Sequence, residues 1–539
     1  MTSSPTPERP FGDIALCLSG GGYRAAAFHL GTLDMLDDLG LLSDVRLLST
    51  VSGGTIIGIA YAVWKTEGQS FAQFYTDFYA FLNHTNVVQQ ALAGLYDVAE
   101  TSAARHLSLI RAAARTYADA LVGERRFGLL LNQVGTHFTE LIFNATEFRI
   151  GNAFRFRASQ NRRAVIGNGN FRISRPVAEQ IRLADIMAAS SCFPAAFEPI
   201  RFPDDFQWDN LDDVRRELQS GFQDEGEQPV CVPLMDGGIY DNQGLDSAKM
   251  ADDVDDPDFD LFIVSDSNQR DDAVLDFPVE RRRGWLPLRH VARLLRLVLV
   301  LCLTSAVAVV MQYECTVRAS GMSLLDYVRL HPYELIFAYA IPFLLAVTVG
   351  LGLTWVRWLV RRVQKVHVVG ADFALWPVVK DLTVPDLLEM LKGRFSSLTA
   401  LASTVFMKRI RSLLLQYVIT NPKRRERLAF NVLYEILLSH PKLEAQDAAF
   451  KPSAQLREVV EGAEAMPTTL WFPRESDLRT LIVCGQATLC FNILKYLRDK
   501  QEDALQDPCS AVSQMYQRAR DRWLALQRDA YCLLDRNRL

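Results

Sequence analysis

Two short stretches, Ile14-Ala-Leu-Cys-Leu-Ser-Gly-Gly-Gly-Tyr-Arg24 and Ser49-Thr-Val-Ser-Gly-Gly54, decide how this chain is read. Ile14 to Leu18 is an apolar run between glycines, the pattern of a buried parallel strand, and Arg24 to Leu39 carries apolar residues at helical spacing. The order strand, glycine turn, helix places Gly20, Gly21 and Gly22 at a helix N-terminus. Backbone N–H groups there lack intrahelical partners, and the missing side chains let an anion come close. Such a loop suits a tetrahedral oxyanion, and one well-placed donor lowers a barrier by about 3 kcal/mol.

The competing reading is a dinucleotide fold, because Gly20, Gly22 and Ala25 satisfy G-x-G-x-x-G/A. That fold needs an acidic residue at the end of the next strand to bind ribose hydroxyls. Here the second strand, about Arg46 to Thr50, ends in Ser-Thr-Val-Ser, and Asp44 lies before it, at the wrong end. Ser52 instead stands between that strand and a helix that begins near Gly53 and runs through Ile56, Ile57, Ile59 and Tyr61. A sharp strand-to-helix turn exposes a serine oxygen. Gly54 meets the rear requirement of G-x-S-x-G, whereas Thr50 occupies the front position in place of glycine. Taken alone, Ser52 reads more readily as a helix cap than as a nucleophile.

Far downstream, Met235-Asp236-Gly237-Gly238 places a carboxylate between an apolar run and a glycine turn. A lone Asp-Gly-Gly is usually a turn; beside the two earlier pieces, Asp236 is a candidate base. None of the eight histidines sits in a serine-hydrolase motif, and His29, in the first helix, reads as a packed side chain. A Ser–Asp dyad therefore fits better than a Ser-His-Asp triad.

With these blocks in order, the chain resembles the patatin-like phospholipase family. Phe143-Asn144-Ala145-Thr146-Glu147 and Ala188-Ala-Ser-Ser-Cys-Phe-Pro194 resemble two further family segments, and the likeness covers roughly residues 12 to 270. The resemblance implies a three-layer α/β acyl hydrolase domain and calcium-independent hydrolysis of lipid esters through an acyl-serine. It assigns Ser52 as nucleophile, Asp236 as its activator and Gly20, Gly21 and Gly22 as oxyanion donors. Arg24 is expected to orient the glycine loop, with Gly54, Gly237 and Gly238 supporting. No cofactor or metal is implied. The alternatives are a catalytically inactive lipid-binding scaffold and an acyltransferase or thioesterase.

A second feature lies away from this chemistry. Leu297 to Tyr313 is a charge-free run of 17 residues and Leu335 to Val356 another of 22. Both lengths can span a hydrocarbon core, the first at its short end, where a buried core helix is the alternative. They read as a transmembrane hairpin inserted in the enzyme. Arg281, Arg282, Arg283, Arg289, Arg293 and Arg296 precede it and Arg357, Arg361, Arg362 and Lys365 follow, whereas the loop Glu314 to Glu334 is poor in positive charge. That asymmetry puts the catalytic domain on the cytoplasmic side. Trp285, Trp355 and Trp358 are candidate interfacial anchors. The expected substrate is a bilayer phospholipid or lysophospholipid.

The expected organisation is a leader over 1–11, the main catalytic part over 12–280, basic flanks and hairpin over 281–365, and a helical part over 366–539 completing the enzyme. Residues 70–140 read as helical and as a cap over the site, Phe148 to Ala158 as a hairpin, and Asp204 to Gln228 as an acidic loop or short helical insert. Leu261 to Ser265 reads as a strand, Val384 to Thr420 and Arg425 to Leu438 as helices, and Leu478 to Arg498 as an amphipathic helix packed on the sheet. A net charge of -5 over 539 residues gives no reason to expect nucleic acid. The nine scattered cysteines contain no C-x-x-C pair and no zinc-type spacing, as suits a reducing compartment.

Overall fold

The computed structural model describes residues 9–96, 107–194, 196–220, 231–254, 259–270, 287–323, 326, 329–330, 333, 341–363, 381–401, 405–534 and 536–537. The chain forms two compact units, residues 1–273 with 402–539, and residues 274–401.

The first unit is built on one eight-stranded sheet. Its strands are β1 (Ile14–Leu18), β2 (Val45–Val51), β3 (Glu140–Glu147), β4 (Asn152–Ser159), β5 (Ile200–Phe202), β6 (Val232–Asp236), β7 (Leu261–Asp266) and β8 (Leu428–Val432). The order is β5-β6-β3-β2-β1-β7-β8, with β4 also paired to β3. From β3 to β8 the pairs are parallel, and β4, β5 and β6 add antiparallel pairs. Successive side chains of a strand point to opposite faces. Ile14, Leu16 and Leu18 accordingly enter the large core, while Ala15 and Cys17 enter a smaller one with Leu245, Ala248 and Val264. Helices α1 (Gly22–Asp38) and α2 (Gly53–Thr66) cover the first face, and the Leu245–Val254 helix covers the second. The mixed, mostly parallel α/β sheet is thus covered on both sides, as parallel strands require.

The hairpin at this end of the sheet runs from Glu140 to Ser159, so Phe148 to Gly151 form its turn rather than the start of its first strand. Arg425 to Leu438 is not a helix. Leu428–Val432 forms β8, paired in parallel with Phe262–Asp266, followed by a 3-10 turn at Glu435–Leu437. Ala429 and Val432 are buried against neighbours far away in sequence, and that pairing overrides local helical preference. Residues 211–220 of the acidic segment are helical, and 221–230 lie outside the described residues.

The Glu475–Lys500 helix packs along α1. It is apolar and long enough to cross a membrane, but it is almost entirely buried, a core helix. Two glycines let the helices meet backbone to backbone. A Cβ on Gly31 would collide with the Ile482 carbonyl oxygen, and one on Gly485 with that of Phe28. The C-terminal segment therefore shares the core of the first unit.

In the second unit, Leu288–Ser320 and Ile341–Val363 are helices that run against each other. Residues 335–340, Arg281 to Arg283 and Trp285 lie outside the described residues. The first helix continues through Ser320, beyond Tyr313, into the segment read as the connecting loop. Val384–Ala400, capped by Thr383 and Asp386, closes this unit.

Candidate active site

Parallel strands deliver their following loops to one edge of the sheet, where α/β folds place their sites. β1 ends in the glycine loop, β2 in Ser52, and β7 in Asp266 and Ser267. Ser52 has φ 52° and ψ -119°, the one non-glycine residue with positive φ among the described residues. Such a conformation costs of order 1–3 kcal/mol and persists where the surroundings over-determine it. The surroundings are visible. The Ser52 N–H donates to Ser190 Oγ at 2.9 Å, and that hydroxyl is within 2.6 Å of the Asn144 carbonyl oxygen and 2.8 Å of Thr55 Oγ1. Asn144 Nδ2 donates to the Thr50 carbonyl at 3.0 Å and to Ser49 Oγ at 3.1 Å.

The side chain at the front position of the turn is accommodated. Thr50 Oγ1 lies 2.9 Å from Thr55 Oγ1, and its methyl fills the space at Gly58, where a Cβ would stand 2.5 Å away.

Asp236, at the end of β6, is buried. Its N–H donates to the Cys192 carbonyl at 3.0 Å, its own carbonyl accepts from Thr146 Oγ1 at 2.9 Å, and Oδ1 accepts from Gly238 N at 2.7 Å. Burial raises the carboxyl to about 6, against the opposing pull of the Ser52 hydroxyl and the Gly238 amide. Oδ2 is buried and has no hydrogen-bond partner among the described residues. A buried carboxyl near 6 is ionised at neutral pH and basic enough to accept a proton.

The glycine loop is anchored peptide by peptide. His29, fully buried, places Nε2 2.9 Å from the Ser19 carbonyl oxygen and Nδ1 3.0 Å from Ser265 Oγ. The carbonyl can only accept, so Nε2 carries the proton; burial pulls this imidazole down to about 4, and it stays neutral. Gly20 N–H donates to the Asn242 carbonyl at 2.9 Å. Among the described residues, the Gly21 and Gly22 amides donate to no protein group. Gly20 therefore shapes the loop while its neighbours keep free donors.

Arg24 is buried, donates to the Met466 carbonyl at 3.0 Å, and is pulled down to about 10 by burial and then by Arg411. Tyr23 N–H donates to the Thr469 carbonyl at 2.8 Å, so the 466–469 segment lies along the glycine loop. Gly54 and Gly237 lie where a Cβ would strike the carbonyl oxygens of Leu18 and Asn144, and Gly238 supplies the amide on Asp236. The sequence motifs did not single out the supports Asn242, Ser267 and Met466, and they contained Ser190 without giving it a role. The usable signals were Ser190 within the small-residue helix and Ser267 directly after an apolar strand.

Residues 16–249 match the family model described as patatin-like phospholipase. Comparison with curated proteins produced no match. Among solved structures, VipD from Legionella pneumophila aligns at 11% identity over 98% of this chain and 92% of that one, with a TM-score of 0.23.

Proposed function

The chain belongs to the patatin-like phospholipase family through residues 16–249 and is a lipid acyl hydrolase; we propose that it works through a Ser52–Asp236 dyad while anchored in a bilayer. The observation that carries the dyad is the positive φ of Ser52, held beside a buried carboxylate whose pKa it lowers. In this reading the Ser52 hydroxyl attacks the ester carbonyl and its proton passes to Asp236. The amides of Gly21 and Gly22 receive the developing oxyanion, with Gly20 holding the loop in shape. Collapse breaks the ester C–O bond, and the departing alcohol takes the proton from Asp236. Water then adds to the acyl-serine, giving a proton to Asp236 that returns to Ser52 as the fatty acid leaves.

Anchoring is supported by exposure. Leu297, Val300, Leu301, Leu303, Val307 and Met311 of the Leu288–Ser320 helix are each more than half exposed. An apolar surface of this extent marks contact with something other than water. Within that helix Arg293–Ser320 has the length and hydropathy of a span, whereas the described apolar part of its partner helix, Phe343–Thr354, is shorter. The basic flanks favour a cytoplasmic catalytic domain and attraction to anionic headgroups, each charge contributing about 1 kcal/mol. A tethered enzyme of this kind suits a resident glycerophospholipid or its lyso form.

Fluorophosphonate labelling of the detergent-solubilised chain tests the site. Modification confined to Ser52 and absent from Ser52→Ala is expected; equal labelling of the variant would remove the assignment. Membrane-impermeant thiol labelling in sealed vesicles tests the topology. A single cysteine at Ser323 should label from the side opposite the N-terminus, and labelling from the same side refutes the hairpin.

A further inference from the structure

We propose that Ser267 is a positioning residue for ester hydrolysis: its hydroxyl holds the Gly20 carbonyl and thereby aims the Gly21 N–H at the reacting oxygen. The proposal rests on reading the glycine loop as the oxyanion site. Ser267 lies outside residues 16–249 and is fully buried one residue past β7. Its Oγ donates to the Gly20 carbonyl oxygen at 3.0 Å, and its own N–H donates to Ser19 Oγ at 3.0 Å.

The consequence follows from peptide geometry. The carbonyl of Gly20 and the N–H of Gly21 belong to one planar trans unit and point in opposite directions. A hydroxyl gripping the carbonyl therefore turns the N–H away from Ser267, and that N–H has no protein acceptor among the described residues. The preceding peptide is tied at both ends, by His29 on the Ser19 carbonyl and by Asn242 on the Gly20 N–H. The Ser19 hydroxyl reaches the same Gly20 carbonyl at 3.3 Å, and Ser267, at the shorter 3.0 Å and on a separate strand, is the contact that ties the next peptide to β7. Gly21, at φ 141°, leaves room for this hydroxyl, since a Cβ there would stand 2.7 Å from Ser267 Oγ.

The clamp is itself braced. Asp266, the last residue of β7, accepts from Gln243 Nε2 at 2.8 Å and from Asn268 N at 3.1 Å, and pairs with Arg411 at 3.1 Å. A hydroxyl mounted on a strand end fixed from three sides is preorganised, which is what transition-state stabilisation demands.

The test uses the full chain in detergent with a soluble ester. Ser267→Ala should lower kcat about 10- to 100-fold, less than loss of an oxyanion donor outright, with KM within about twofold of wild type. Affinity for a trifluoromethyl ketone, which mimics the tetrahedral adduct, should fall by the same factor. Ser267→Cys keeps the packing but donates weakly, and its kcat should lie between the two. Wild-type kcat in Ser267→Ala, wild-type kcat in Ser267→Cys beside an impaired Ser267→Ala, or a loss of kcat without loss of ketone affinity, overturns the proposal. Ser52→Ala in the same assay separates the failures. If it retains turnover, the dyad reading falls; if it is inactive while Ser267→Ala is unimpaired, only the role of Ser267 falls.

Discussion

Replacing Asp236 by Asn should make the folded protein more stable while stopping the chemistry. Burial raises this carboxyl from 3.8 to about 6, so the folded state disfavours the charge that the unfolded chain carries freely. The group is raised, hence its contribution to stability is greatest below 3.8 and is lost as pH climbs through 6. At about 1.4 kcal/mol per pH unit, the ionised carboxylate costs about 3 kcal/mol at pH 7.5 and about 1 kcal/mol at pH 4.5. Asparagine keeps an oxygen for the Gly238 amide, which now bonds Oδ1 at 2.7 Å, and puts an N–H2 where the unpartnered Oδ2 stands. Urea unfolding of both proteins in detergent, followed by tryptophan fluorescence at the two pH values, reads the difference directly. Asp241, also buried and raised to about 6, is common to both and cancels. A variant no more stable than wild type at pH 7.5, or a difference that does not shrink toward pH 4.5, refutes the argument that an uncompensated charge is stored at this position.

The pH dependence of kcat/KM for a soluble ester should rise through about pH 6 and then level, because Asp236 must be ionised to accept the Ser52 proton; Asp241→Asn should retain that rise if it stays folded, and its disappearance would move the assignment. His29 is pulled to about 4, so His29→Gln should shift no inflection above pH 5, whatever it does to stability. Ser52→Gly should be inactive yet more stable by about 1 kcal/mol, since glycine adopts φ 52° without strain; equal or lower stability in calorimetry would argue against a strained turn. Gly485→Val should cost about 3 kcal/mol in urea midpoint and lower soluble expression, because its side chain meets the Phe28 carbonyl; a neutral effect would mean that the helices tolerate separation.

The glycine run, the turn at Ser52 and the Asp-Gly-Gly segment were legible because each is a local device whose residue types fit a single kind of backbone. The strands Ile14–Leu18 and Leu261–Asp266 were legible for the same reason, being short apolar runs with clear breaks. β8 was not. Leu428–Val432 becomes a strand only by pairing with β7, and nothing in its own five residues announces that partner. Arg24 shows the same limit: the sequence singled it out beside the glycine loop, but not its acceptor, the Met466 carbonyl 442 residues onward.

The sequence by itself determined which residues are chemically capable: small ones where a backbone must approach an anion, a serine at a sharp turn, a carboxylate at a strand end, and apolar runs long enough to span a bilayer. Only the tertiary structure decided how those groups are aimed and tuned. The pKa of Asp236 rises because the folded core removes water from it, and Ser52 keeps its strained backbone because Ser190, 138 residues away, accepts its N–H. The Gly21 amide likewise takes its direction from a hydroxyl on Ser267. Burial and hydrogen-bond direction are properties of groups brought together across long loops, and no spacing within a motif encodes them.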